Sequence, residues 1–161
     1  MNKLYIKTSH RIVEAFSYVL LAVSLVIIIA CMATADGAVP IHYDIYGNPD
    51  DYGDVGTYII CPILFFIMNG FGSVMMRYIS IEEWNMPCKV NPGAKQYVFS
   101  DAMWLFVLSN LFFSIMSFMI SLKVVLPVTV GNWLIFGSMG LLTVGIVIII
   151  IKICYDNKKY A

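Results

Sequence analysis

At 161 residues, with 60% hydrophobic and only 12% charged side chains, the chain has more apolar surface than a water-soluble domain of its size can bury. Ten basic and ten acidic residues cancel to a formal net charge of zero, which gives no overall attraction to nucleic acid. A soluble globular enzyme and a nucleic-acid binder are excluded as classes, and the lipid bilayer is the solvent that suits this composition.

About 20 apolar residues at 1.5 Å rise cross about 30 Å of hydrocarbon. Runs at 12–34, 58–77, 97–120 and 133–153 meet that length and predict four transmembrane helices. Helices satisfy their own backbone polar groups, which open strands in lipid would not. The expected fold is an all-α integral membrane protein, one domain over 1–161.

Lys3, Lys7 and Arg11 precede the first span, which carries Glu14 near its start and Cys31 near its end. A cleaved signal peptide would also begin with a basic segment, but this apolar run exceeds the usual 7–15 residues. An acidic loop, 35–57, follows. The second span opens near Thr57, a candidate helix cap, and contains Cys61, Pro62 in its first turns, and Asn69-Gly70-Phe71-Gly72. Arg77, Lys89 and Lys95 lie between spans two and three, with Glu82 and Glu83 expected at headgroup level. Cys88 sits among the turn signals Pro87 and Asn91-Pro92-Gly93.

Span three carries Asp101 near its start and Asn110 near its middle. A short connection with Lys123 and Pro127 leads to Trp133, placed as an interfacial aromatic. Span four holds Gly137, Gly140 and Gly145, which permit a close helix neighbour or a contact between copies, and Lys152, Cys154, Lys158 and Lys159 follow. Lys123 alone among the ten basic residues falls on the side of the acidic loop. The positive-inside rule therefore predicts cytoplasmic termini and an extracytoplasmic loop. Cys31 and Cys61 lie at similar depth, but two small buried apolar residues account for them better than a bridge.

Two amides and two carboxylates stand out among the polar residues inside predicted spans. Asn69 and Asn110 lie near mid-membrane and are expected to bond each other or a neighbouring carbonyl. Glu14 and Asp101 lie within a turn or so of the inner interface, in reach of Arg11, Arg77 or Lys95.

The loop reads ADGAVPIHYDIYGNPDDYGDVGT and holds half of the carboxylates: Asp36, Asp44, Asp50, Asp51 and Asp54. It has no Lys or Arg. Val39, Ile41, Tyr43 and Ile45 alternate with Pro40, His42, Asp44 and Tyr46, so an extended segment would bury one face and present His42 with Asp44 on the other. Gly47-Asn48-Pro49-Asp50 reads as a turn that returns Asp50, Asp51 and Asp54 toward them. The loop is thus expected to form an ordered cap across the outer end of the bundle. His42, Asp44, Asp50, Asp51 and Asp54 are the candidates for binding a cationic peptide or another membrane protein. His42, Asp44 and Asp50 are weak candidates for a metal, because their spacing matches neither an EF-hand nor an HExxH helix. Turn and cap duty for the same carboxylates is the competing reading.

The run Val39-Pro40-Ile41-His42-Tyr43-Asp44, then Gly47-Asn48-Pro49-Asp50-Asp51-Tyr52-Gly53 and Pro62, resembles the signature of the bacterial family called domain of unknown function 1648. It is similar to the N-terminal module of SdpI-type immunity membrane proteins, over about 25 residues. The resemblance implies that Pro40, His42, Asp44, Gly47, Pro49, Asp50, Gly53 and Pro62 share a defined local structure. It also implies a multi-pass protein of the bacterial cytoplasmic membrane that protects a cell from a secreted membrane-active toxin. Members often carry Lys or Arg shortly after the last glycine, where this chain has Asp54-Val55-Gly56.

No Ser–His–Asp arrangement, phosphate loop, dinucleotide fingerprint or Cys–His zinc spacing occurs, so no catalytic residue and no cofactor is expected. Three readings stay open: a non-enzymatic binding protein of the immunity or envelope-stress type, a small transporter or channel subunit, and a metal-binding membrane enzyme. The first accounts for the most residues.

Overall fold

The computed structural model describes residues 5–44, 46, 48–80, 84–125 and 128–161, without the side chains of 128–135. Lys3, Ile45, Gly47, Glu82, Glu83, Pro127 and the side chain of Trp133 therefore lie outside the described residues. Four helices, α1 (Thr8–Thr34), α2 (Ile60–Tyr78), α3 (Lys95–Lys123) and α4 (Val128–Lys159), make up most of the chain. Each contains a stretch long and apolar enough to cross a bilayer. The fold is not purely helical, however. An antiparallel hairpin of β1 (Val39–Tyr43) and β2 (Pro49–Gly53) joins α1 to α2.

The bundle buries many polar residues and turns many apolar ones outward. Along α1 the buried residues are His10, Glu14, Ser17, Leu21, Ser24 and Ile28, spaced alternately by four and three. On α3 the same spacing runs through Met103, Val107, Asn110, Ser114, Ser117 and Ser121, and on α2 through Asn69, Gly72 and Met76. This period of 3.5 is that of helices packed along a common seam. The faces turned away carry Ile12, Phe16, Val19, Val23 and Val26 on α1, and Ile63, Phe66, Ile67 and Val74 on α2. Lipid tails are as apolar as leucine, so apolar residues gain nothing by hiding, and small residues bring the backbones close. Ser17, Ser24 and Ser114 return their hydroxyls to carbonyls four residues back, at 2.8–2.9 Å, which satisfies these three donors inside the seam.

Helix α3 is central, packing on α1, α2 and α4, whereas α1 and α2 touch each other sparingly. An apolar cluster of Ile6, Met76, Val98, Phe99, Met103, Ile149 and Ile153 fills the end of the bundle where α3 begins and α4 finishes. That end also carries Arg11, Arg77, Lys95, Lys152, Lys158 and Lys159; it is called the basic end below.

The helices outrun the apolar stretches. Helix α4 continues to Lys159 rather than stopping near 153, because Lys152 finds Asp156 one turn on at 2.8 Å and Asp101 on α3 at 2.5 Å. Helix α1 begins at Thr8, where the Lys7 backbone N–H donates to His10 Nδ1. Thr57 is not the cap of α2. The chain enters through a 3-10 turn, Val55–Ile59, whose first amides are capped by Asp54. Helix α2 also runs unbroken through Asn69-Gly70-Phe71-Gly72.

At the basic end the connection before α3 is latched to the end of α4. Asn91 N–H donates to Asn157 Oδ1 at 2.8 Å, and Asn157 Nδ2 donates to the Lys89 carbonyl at 2.8 Å. The Tyr97 and Tyr160 rings stack at 3.8 Å. A methyl on Gly93 would lie 2.6 Å from the Tyr160 carbonyl oxygen, so only glycine admits this approach.

Candidate functional site

The hairpin is irregular, and the irregularity aims its side chains. Val39 faces Gly53, Pro40 faces Tyr52, His42 faces Asp51 and Tyr43 faces Pro49, so Ile41 and Asp50 are extra residues on their strands. Such bulges re-aim side chains. Ile41 turns toward the bundle, where its Cδ1 occupies the space a Gly53 side chain would need. Asp50 turns outward, and His42 Nδ1 donates to its Oδ1 at 2.6 Å. Both prolines are tolerated because a two-stranded sheet has only edges.

The expected gathering of carboxylates around one point does not form. Asp44 accepts from the Tyr46 and Asn48 backbone N–H groups, at 2.9 and 2.8 Å, and from Asn48 Nδ2 at 3.1 Å. It is half-buried and holds the turn together, rather than standing beside His42 on the open face. Asp51 accepts from the Tyr52 N–H, and Asp54 from the Gly56 N–H at 2.6 Å. A methyl on Gly56 would fall 2.7 Å from that Asp54 oxygen, which explains the glycine. Asp44 thus serves the turn and Asp54 the cap, His42 pairs with Asp50, and Asp51 stays exposed on its strand. Among the described residues no three His, Cys, Asp or Glu side chains converge as a metal site would require.

The hairpin is fastened to the bundle. Tyr58, buried at the foot of α2, donates its hydroxyl to the Pro40 carbonyl. Lys123 Nζ, at the end of α3, lies 4.4 Å from the centroid of the Tyr43 ring. Ile41, Tyr43, Tyr58, Cys61 and Ile120 line a small recess beneath. Outward, the side chains of His42 and Asp50 are 69% and 45% exposed, and Tyr46, Asp51 and Tyr52 are exposed beside them.

Polar residues within the spans form three networks, one at mid-bundle and two at the basic end. At mid-bundle, Asn110 Nδ2 donates to the Asn69 carbonyl at 3.3 Å and Asn69 Nδ2 to Ser114 Oγ at 2.8 Å. At the basic end, Arg77 grips Glu14 bidentately at 2.7 and 2.5 Å. Ser73 donates its hydroxyl to the same carboxylate and accepts from Tyr18. Asp101 pairs not with Arg11, Arg77 or Lys95 but with Lys152 of α4, which an apolar count places at the edge of its span. Composition and charge do not single out the serine seam, Tyr58 or Asn157, although the three-and-four spacing of serines is visible in the sequence.

All four cysteines are free thiols, half-buried. Burial pushes the Cys88 thiol up, and Asn157 Nδ2 donates to its sulfur at 3.6 Å. A methyl on Gly137 or Gly140 would meet nothing of this chain's described residues within 4 Å, whereas one on Gly145 would face Leu108. No protein-family model, curated protein or solved structure matches the chain.

Proposed function

We propose that the chain is a non-enzymatic multi-pass protein of the bacterial cytoplasmic membrane whose hairpin faces outward and recognises a cationic peptide, protecting the cell as the resemblance to SdpI-type immunity proteins implies. The observation that carries this reading is the division of labour in the hairpin. Its inner face serves anchorage through Tyr58 and Lys123, and its outer face leaves His42, Asp50, Asp51, Tyr46 and Tyr52 in solvent. Two carboxylates flanked by tyrosines, with no Lys or Arg from 35 to 57, suit a partner that brings positive charge and apolar surface. Orientation rests on the basic residues clustered at the opposite end.

Growth of cells making the protein, challenged with secreted cationic membrane-active peptides, tests the function. Protection against one of them is expected, and Asp50→Asn with Asp51→Asn should lower the tolerated dose about tenfold, as the loss of about 1.4 kcal/mol of binding would. Asp44→Ala is a poor test, because it opens the turn. Tolerance unchanged in the double variant would rule out the hairpin as the recognition surface, and no protection against any peptide would end the immunity reading. Orientation has its own measurement. A Tyr46→Cys variant should react with a membrane-impermeant maleimide on intact cells above the level of the parent chain. Reaction only after lysis would place the hairpin inside.

A further inference from the structure

Because α1 and α2 touch sparingly, a groove runs between them and opens sideways, where lipid surrounds the bundle. Its lower part is a recess of about 460 Å³ at the basic end, lined by Arg11, Glu14, Tyr18, Ser73 and Arg77. Its upper part, about 310 Å³, is lined by Tyr18, Leu21, Leu25, Pro62, Ile63 and Phe66. Tyr18 borders both and reaches across to α2, its hydroxyl on Ser73 and its ring edge-on to Phe66 at 5.6 Å, so the two recesses adjoin along one face. One end is polar and the rest is hydrocarbon.

The polar end has cationic capacity to spare. Arg77 directs two N–H groups to Glu14 and one to the Ser73 carbonyl, which leaves two of its five donors. Arg11 is exposed, and its charge acts on Glu14 without a direct side-chain hydrogen bond or ion pair among the described residues. Two arginines against one carboxylate leave the recess with a positive charge. Tyr18 and Tyr78 also line this recess. From Glu14 to Leu25, at 1.5 Å per residue, α1 rises about 16 Å. One leaflet contributes about half of the 30 Å hydrocarbon thickness, or about 15 Å.

We propose that the α1–α2 groove binds an anionic phospholipid of the leaflet at the basic end, its phosphate against Arg11 and Arg77 and one acyl chain along Leu21, Leu25, Ile63 and Phe66. A phosphate alone would use the lower recess and leave the upper one without purpose. A zwitterionic lipid would fill the upper recess without answering the charge below. The site lies at the opposite end of the bundle from the hairpin, so it is independent of whether the hairpin meets a peptide.

The test is native mass spectrometry of the full chain in mild detergent, titrated separately with phosphatidylglycerol, phosphatidylcholine and inorganic phosphate. Phosphatidylglycerol should be retained in preference to phosphatidylcholine. Arg11→Gln should weaken its retention about fivefold, the effect of one basic side chain at a membrane surface. Ala22→Phe, which places a ring in the upper recess from an exposed position, should weaken both lipids. Neither substitution removes a contact of the fold, and unchanged thermal unfolding checks this. Equal retention of the two lipids, or of phosphatidylglycerol in parent and Arg11→Gln, would overturn the headgroup site. Inorganic phosphate held as firmly as phosphatidylglycerol, with no effect of Ala22→Phe, would show a free-anion site in place of a lipid site.

Discussion

Arg77→Ala should lower the stability of the bundle by about 3 kcal/mol, the low end for stripping one partner from a buried ion pair. Glu14 is 6% exposed, and its two oxygens are held by both terminal nitrogens of Arg77 and by the Ser73 hydroxyl. Without the guanidinium, the nearly buried carboxylate would keep the Ser73 hydroxyl as a hydrogen-bond partner and only the more distant charge of Arg11. Arg77 is 35% exposed, so solvent screens the attraction in part, which argues for the low end. Desolvation of Glu14 is not screened in this way, and it sets the cost. Glu14→Gln with Arg77→Gln removes both charges and should recover more than half of the loss. A denaturing-detergent titration followed by tryptophan fluorescence reads all of the variants. A double variant as unstable as the sum of the single ones would mean that the two residues do not interact, and the network would lose its role.

The four spans are legible in the sequence because length and apolarity are the requirement that lipid imposes, and both are additive along the chain. Their ends are not. An apolar count stops where hydrophobic residues give out, whereas the helix stops where its backbone loses partners. Composition ends the fourth span at 153, but Asp101 and Asp156 satisfy Lys152 and α4 continues for nearly two more turns. Which face of each helix turns inward is legible only if the usual rule is inverted. Ser17, Ser24, Ser114, Ser117 and Ser121 mark the seam that leucines would mark in a soluble bundle.

The hairpin is half legible. Alternation from Val39 to Tyr46 predicts an extended segment and its inward face, and Gly47-Asn48-Pro49-Asp50 predicts the return; the strand itself ends at Tyr43. The pairing of carboxylates is not in the pattern, because a bulge shifts which residues share a face. With Asp50 as an extra residue, His42 meets Asp50 and not Asp44. The Asp44 carboxylate has backbone amides within reach at the turn, and such local bonds form at little entropic cost. An acidic sequence therefore becomes a mostly self-satisfied structure. What the outer face of the hairpin leaves available to a partner is smaller than composition suggests: one His–Asp pair, Asp51 and two tyrosines.

Gly72→Ala should be worse than Gly70→Ala by about 2 kcal/mol, although the two glycines stand on the same turn of the same helix. A methyl on Gly72 would lie 2.7 Å from Asn110 Oδ1, whereas one on Gly70 meets nothing within 4 Å. Both substitutions gain the same helix propensity, about 1 kcal/mol, so their difference isolates packing. The Asn110 amide is the tip of a side chain, and a tip elsewhere would yield. This one is 4% exposed, however, and its Nδ2 donates to the Asn69 carbonyl at 3.3 Å, already a long bond. Asn69 Nδ2 donates to Ser114 Oγ, and that hydroxyl donates to the Asn110 carbonyl, so the contact closes on itself. Moving Asn110 far enough to clear a methyl breaks the first of these bonds and separates α2 from α3. In lipid the freed amide has no water to turn to. The unfolding midpoint of each variant, measured against the parent in the same detergent, decides the matter. Equal midpoints for the two alanine variants would show that α2 and α3 do not meet at Gly72.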